Sequence, residues 1–370
     1  MGCRGDLVAG ALVHCLPGIC VVTEPEFIGE LMHQNRTSEA RLDALREEAA
    51  RTGRVQAAGV VPIDSVLPRP SAAKDYNGQP VLKPPTWTWQ VPLYFFAGGI
   101  AGASAVIGLI AHLLGRNPAL VRGALWLGLA GALASPPLLI ADLGKPSRFL
   151  NMLRVFKWRS PMSVGAWTLA IFSSAVFVAV VCGELSRVAA NELVSAVGWA
   201  AQAGAAATGL VLLSYTSVLL GVSAIPVWSE NRTLLPPHFV ASALGAAAAA
   251  LELVGLFSPA TQMMAIAAAV VETIIGIVIE FRGRRVDEPL RHGKVGLAIR
   301  VGGVLAGPVA LLLRIFFGRV LLIRRLAGVS FIVGALIIRF AWIAAGRVSA
   351  RDPQALFQIQ RPAQPSKIRG

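Results

Sequence analysis

The chain has 370 residues, of which 55% are apolar and only 15% charged, with a mean hydropathy of +0.64. A soluble domain carries about 25% charged residues, so a water-soluble globule is a poor description of this composition. The formal charge of +14 crowds into short segments between apolar blocks. There it reads as lipid-facing and topogenic charge, and no basic stripe interleaved with aromatics points to nucleic acid.

Residues 7–22 form a short apolar stretch containing Pro17. It fits either a signal peptide, though it lacks a strong basic start and a clear cleavage site, or an untranslated extension if synthesis begins at Met32. Residues 38–51 predict a short exposed helix, with Ser38 as N-cap and Glu39 in the first turn. Residues 52–86 hold Pro62, Pro68, Pro70, Pro80, Pro84 and Pro85, the mark of an extended linker. The cysteines Cys3, Cys15, Cys20 and Cys182 show no Cys-x-x-Cys spacing, which argues against a zinc site, an iron–sulfur run or a disulfide framework.

Apolar blocks then recur at lengths that cross a hydrocarbon core of about 30 Å. They lie near Val91–Leu114, Leu120–Leu143, Ser163–Cys182, Gly198–Leu220, Phe239–Phe257, Ala260–Ile279, Val295–Leu313 and Leu326–Ala345. The expected fold is an all-α membrane protein with about eight transmembrane helices packed as a bundle. A mostly irregular extension precedes it (1–86), the transmembrane domain covers 87–346, and a basic tail follows (347–370). Small residues such as Gly98, Gly99, Gly102 and Ala103 favour close helix packing in lipid.

An even number of spans puts both termini on one side, here side A. The connections on side A carry Lys145, Arg148, Arg154, Lys157, Arg159, Arg232, Arg282, Arg284, Arg285, Arg291 and Lys294, eleven in all. Side B carries Arg116, Arg122, Arg187, Arg314, Arg319, Arg324 and Arg325, seven in all. The positive-inside rule therefore favours side A, and the termini with it, as cytoplasmic.

Aromatic and ionisable groups converge on side A by chain direction alone. The first span is entered through Trp87, Trp89, Gln90 and Tyr94; the second ends at Asp142, followed by Lys145 and Arg148; the fourth carries Tyr215 toward the same face. Each has a plain alternative. The tryptophans suit an interfacial belt, the cations suit topology, Tyr215 suits a satisfied core position, and Asp142 can simply pair with Lys145 or Arg148. A carboxylate at the end of an apolar span is nonetheless costly unless it faces the bundle or a partner.

The strings WTWQVPLYFFAGGIAGAS, DLGKPSRFLNMLRVFKWRSPMSVGAW and SYTSVLLGVSAIPVW resemble the polysulfide-reductase membrane-subunit (NrfD-like) family over roughly residues 76–350. The resemblance implies a helical membrane subunit of an anaerobic respiratory oxidoreductase in a prokaryotic cytoplasmic membrane. It implies an iron–sulfur partner subunit and a molybdopterin catalytic subunit. It also implies electron exchange with a quinone, menaquinone or ubiquinone, without haem or iron–sulfur cluster in this chain, which would be inactive alone. Such a site needs hydrogen-bond donors for two carbonyl oxygens, a proton source and an apolar throat. Tyr215 can donate, Asp142 with Lys145 or Arg148 can hold a proton, and Trp87, Trp89, Gln90 and Tyr94 can line the ring. Family members often carry a histidine near the start of the first span; this chain has Thr86, Thr88 and Gln90 there.

A haem b needs two histidines at matched depth, yet His112 lies near side B and His238 near side A. His238, Glu252, Glu272 and Glu280 form a candidate ladder for protons across the fifth and sixth spans, although Arg300 and Arg339 can pair with Glu280 and make part of it merely cohesive. A secondary transporter using these carboxylates, or a purely structural anchor, are the other functional readings, and a transporter lacks support from matched broken helices.

Overall fold

The computed structural model describes residues 12–16, 19–23, 82–115, 117–143, 148–352 and 355. The chain divides into two units, Met1–Ser71 and Ala72–Gly370. In the first, β1 (Leu12–Leu16) and β2 (Ile19–Thr23) form an antiparallel hairpin with Leu12 opposite Thr23 and Cys15 opposite Cys20. In and next to the apolar stretch only these ten residues are described, and their valines, isoleucine and threonine favour the extended state. The helix expected at 38–51 lies outside the described residues.

The second unit is helical. Its elements are α1 (Gln90–Leu113), α2 (Pro118–Asp142), α3 (Arg148–Arg154), α4 (Pro161–Val188), α5 (Glu192–Gly221), α6 (Pro226–Ser229), α7 (Leu235–Leu253), α8 (Pro259–Phe281), α9 (Glu288–Arg291), α10 (Gly293–Val304), α11 (Ala310–Phe317) and α12 (Leu321–Ser349). A π-helical turn, Leu305–Val309, joins α10 to α11 in one continuous rod. Among the described residues, seven helices are long and apolar enough to cross a membrane: α1, α2, α4, α5, α8, the α10–α11 rod and α12. The eighth long helix, α7, has 19 residues, about 28 Å at 1.5 Å per residue. Pro236, Pro237, His238 and Glu252 lower its apolarity. It does not need to face lipid, because Ala246–Ala249 are fully buried and it packs against α1, α5, α8 and α12 at the centre of the bundle.

Local chemistry sets the helix ends. Asn117, Ser160 and Asn191 cap α2, α4 and α5, each side chain accepting a backbone N–H of the first turn. Ser258 and Thr261 form a reciprocal capping box, and Pro259 occupies the first position of α8. Helix α7 stops at Leu253, four residues before the Phe257 expected from hydropathy. Gly255 there adopts φ +87°, and the Leu256 amide donates to the Leu251 carbonyl while the Gly255 amide donates to Glu252. This left-handed cap ends the helix although the apolar residues continue.

Helices α1, α2, α4 and α5 pack as one group, and α7, α8, α10–α11 and α12 as another, with α1 and α7 in contact between them. The approach is close where side chains vanish. A Cβ on Gly102 would lie 2.5 Å from the Gly209 carbonyl oxygen, so α1 and α5 cross backbone to backbone. A Cβ on Gly334 would meet the Gly302 carbonyl oxygen at 2.6 Å, fixing α12 on α10. Such contacts supply the dispersion energy that holds helices together in lipid.

Arg314, counted above among the loop cations of side B, is corrected by the structure. The rod runs on to Phe317, and Arg314 is buried inside the bundle.

Candidate functional site

Six contacts gather the side-A ends. The Thr88 amide and hydroxyl both donate to Asp142 Oδ1, at 2.9 and 2.5 Å, tying the entrance of α1 to the end of α2. The Thr88 hydroxyl also contacts Gln90 Oε1. Trp87 stacks on Trp228 with ring centroids 5.5 Å apart and planes at 15°. Trp228 donates its indole N–H to the Trp342 carbonyl at 2.9 Å, and Arg347 donates to the Trp87 carbonyl.

One turn into the bundle, the hydroxyls of Tyr94 and Tyr215 touch. Tyr94 is 1% exposed and Tyr215 9%. The Tyr215 ring lies on Gly165, where a Cβ would come within 2.2 Å of it, so the glycine in α4 makes room for the ring. A phenol carries one hydrogen and accepts through its oxygen. Within the pair one hydrogen is spent, and one remains to donate to a third group.

The expected site residues therefore separate. Tyr94 joins Tyr215, and Asp142 joins Thr88 and, through it, Gln90. Trp87 is packed against Trp228 and, edge-on at 6.1 Å, against Phe95. Trp89 is 59% exposed at the start of α1. Lys145 lies outside the described residues, and Arg148 opens α3.

The carboxylates of the proposed ladder divide into three environments. Glu272 and His238 approach to 3.2 Å with side chains 0% and 4% exposed. Their alignment is not that of a hydrogen bond, and both Glu272 oxygens and His238 Nδ1 lack a hydrogen-bond partner. Arg339 lies within electrostatic reach of Glu272, donates to the Phe239 carbonyl at 2.8 Å and stands 3.7 Å over the Phe239 ring. Its Nε and Nη1 also lack partners. Deeper, toward side B, Arg314 donates to Glu252 at 2.7 Å, both fully inside the bundle. Glu280 stands apart: 45% exposed at its side chain, it takes two hydrogen bonds from Arg300, at 2.9 and 2.6 Å.

Ser242, one turn beyond His238 on α7, is buried with an unpartnered hydroxyl. Among the described residues no hydrogen bond links the Glu272 group to the Glu252–Arg314 pair. His112 and His238 occupy opposite ends of the bundle, and among the described residues no three His, Cys, Asp or Glu side chains converge as metal ligands do.

Sequence reasoning missed the cluster that closes side A between α6 and α9. Asn231 is fully buried and donates to Asp287 at 2.7 Å, while Arg284 donates to the same carboxylate at 2.8 Å and Arg282 to the Asn231 side-chain oxygen at 3.0 Å. The available signal was Asp287, an acid set among loop cations.

A bundle of lipid-length helices with paired polar groups at one end and ion pairs in its interior defines a polytopic membrane protein. Residues 79–349 match the model of the polysulphide reductase NrfD family, and the chain belongs to that family of oxidoreductase membrane subunits. No curated protein sequence matches the chain.

Proposed function

We propose that this chain is the quinone-interacting, membrane-anchoring subunit of a respiratory oxidoreductase. It passes electrons between a menaquinone or ubiquinone pool and an iron–sulfur partner docked on side A, with a molybdopterin subunit beyond. The observation that carries the reading is the Tyr94–Tyr215 pair, buried about one turn inside side A with one hydrogen left to donate. That remaining donor fits a carbonyl oxygen of a quinone head, and the Thr88-anchored carboxylate of Asp142 at the same end is suited to hold a proton. A quinone supplies two-electron, two-proton chemistry; the chain supplies the donor, the proton-holding acid and the apolar surroundings that keep water from the phenols.

Glu272, with His238 and Arg339 around it, is the group best placed to move protons inward, through Ser242 toward Glu252. Intramembrane ionisable residues of this kind mark proton routes by default. Setting aside Arg314, which is buried inside the bundle, widens the excess of side-A over side-B cations, which supports placing the termini in the cytoplasm.

The test is to isolate the native complex and measure quinol-dependent reduction of the iron–sulfur partner by electron paramagnetic resonance. Wild-type complex should reduce the cluster on quinol addition, and the Tyr215→Phe complex should not at the same rate. Equal rates in an intact Tyr215→Phe complex would remove the site from the mechanism.

A further inference from the structure

A cleft of about 860 Å³ opens at the side-B end of the α1, α2, α4 and α5 group, at the opposite end from the tyrosine pair. That volume lies within the range of about 300–1,000 Å³ typical of small-molecule sites. Its lining is mostly apolar, with a few polar groups of definite chemistry.

At one wall His112 Nδ1 lies 2.7 Å from Gln202 Oε1. The amide oxygen only accepts, so Nδ1 carries the hydrogen, and in the tautomer this contact selects the lone pair is on Nε2. His112 is exposed while Gln202 is 3% exposed, and the Gln202 amide nitrogen has no hydrogen-bond partner. An acceptor for a hydroxyl and an unspent buried donor therefore sit side by side.

The cations of the cleft are already engaged. Arg122 donates twice to Glu184, at 2.5 and 2.9 Å, and Trp126 donates its indole N–H to the same carboxylate at 2.9 Å. A phosphate on Arg122 would have to displace this fork, while Arg187, 59% exposed, lies 3.6 Å from the same carboxylate and shares its charge. A neutral head group faces no such cost. Trp126 and Trp199 are 46% and 49% exposed and offer flat apolar faces.

We propose that this cleft is a second binding site, for a neutral ring alcohol with an apolar tail, of the isoprenoid quinol class. A ring hydroxyl would donate to His112 Nε2, with the indoles against the ring. The site holds the molecule at side B without electron transfer. The choice of a quinol among such amphiphiles rests on the proposed function; the chemistry of the cleft does not.

Cys182 lines the cleft and provides a reporter. The experiment uses the whole complex in quinone-free nanodiscs, titrated with decylubiquinol, and follows alkylation of Cys182 by N-ethylmaleimide through peptide mass spectrometry. Decylubiquinol should slow the labelling. His112→Leu and Gln202→Leu should each raise the concentration needed about tenfold, the loss expected for one hydrogen bond, with quinone-linked turnover unchanged. Tyr215→Phe should lower turnover and leave Cys182 protection intact, so the two sites fail separately. Gly183→Leu adds a side chain into open space in the cleft wall and should abolish protection if the His112 and Gln202 variants do not assemble. Absence of protection in the wild type, protection unchanged by these variants, or protection by phosphatidylglycerol with none from decylubiquinol would overturn the proposal.

Discussion

Tyr94 and Tyr215 bring their hydroxyls into contact from helices whose sequences lie 121 positions apart. The contact depends on a glycine beside the Tyr215 ring, and a second glycine flanks the Tyr94 ring at an ordinary contact distance. Gly165 admits the Tyr215 ring, and Gly98 lies 3.4 Å, by a Cβ placed on it, from the Tyr94 ring. Burying two phenols in lipid-depth protein is costly unless each finds a partner, and they satisfy one another while keeping one hydrogen for a ligand.

Removing one hydroxyl separates support from function. Tyr215→Phe leaves the Tyr94 hydroxyl unpaired, a loss of about 1–3 kcal/mol, and should lower the thermal midpoint of the complex. Tyr94→Phe with Tyr215→Phe together removes both polar groups and should restore most of that stability. Quinone-linked turnover should fall in the single and in the double variant alike. A double variant that is stable and fully active would reduce the pair to packing.

Asp142 accepts from both the amide and the hydroxyl of Thr88. Asp142→Asn keeps an acceptor oxygen for that bridge and removes the charge. If the carboxylate handles a proton, turnover should fall about 10²-fold, the lower end for general acid–base catalysis. Thr88→Val keeps the backbone donor and should cost less. Steady-state quinol oxidation by both complexes checks the order; an Asp142→Asn complex as active as wild type would contradict the proton-holding role.

The bundle was legible because its punctuation is local. Asn117-Pro118, Ser160-Pro161 and Ser258-Pro259 each place a cap before a proline at the first helical position, and the apolar blocks between them have membrane length. Chain direction also placed Asp142, Tyr94 and Tyr215 at one end. Helix rotation was not legible, because moments are weak in helices that are apolar all round. That is why Glu280, placed in the ladder with Glu272, turns outward to Arg300, and why Trp87 meets Trp228 rather than an open face. Arg314 read as a loop residue because the apolar block ends at its charge, whereas the helix runs on through Ile315, Phe316 and Phe317. The side-B cleft has no sequence signature, since a cavity is a property of how four helices splay.

Glu272 tests the proton route. Its side chain is wholly buried beside His238 and within reach of Arg339, so Glu272→Gln keeps the shape and removes the titrating group. Proton uptake coupled to quinone turnover in proteoliposomes should fall several-fold while uncoupled electron transfer persists. Unchanged stoichiometry and rate would leave the buried acid with a cohesive role only.

Glu252 and Arg314 distinguish cohesion from conduction at the inner end of the same route. Breaking a buried pair leaves one charge uncompensated, so Arg314→Leu should cost about 3–5 kcal/mol and sharply lower the thermal midpoint. Glu252→Leu combined with Arg314→Leu removes both charges, and such apolar replacements are often neutral or stabilising. The double variant should therefore assemble near wild-type stability, which makes its proton measurement interpretable. Loss of coupled uptake in that stable complex would place Glu252 on the route; full coupling would show that the pair serves only to dock the α10–α11 rod against α7.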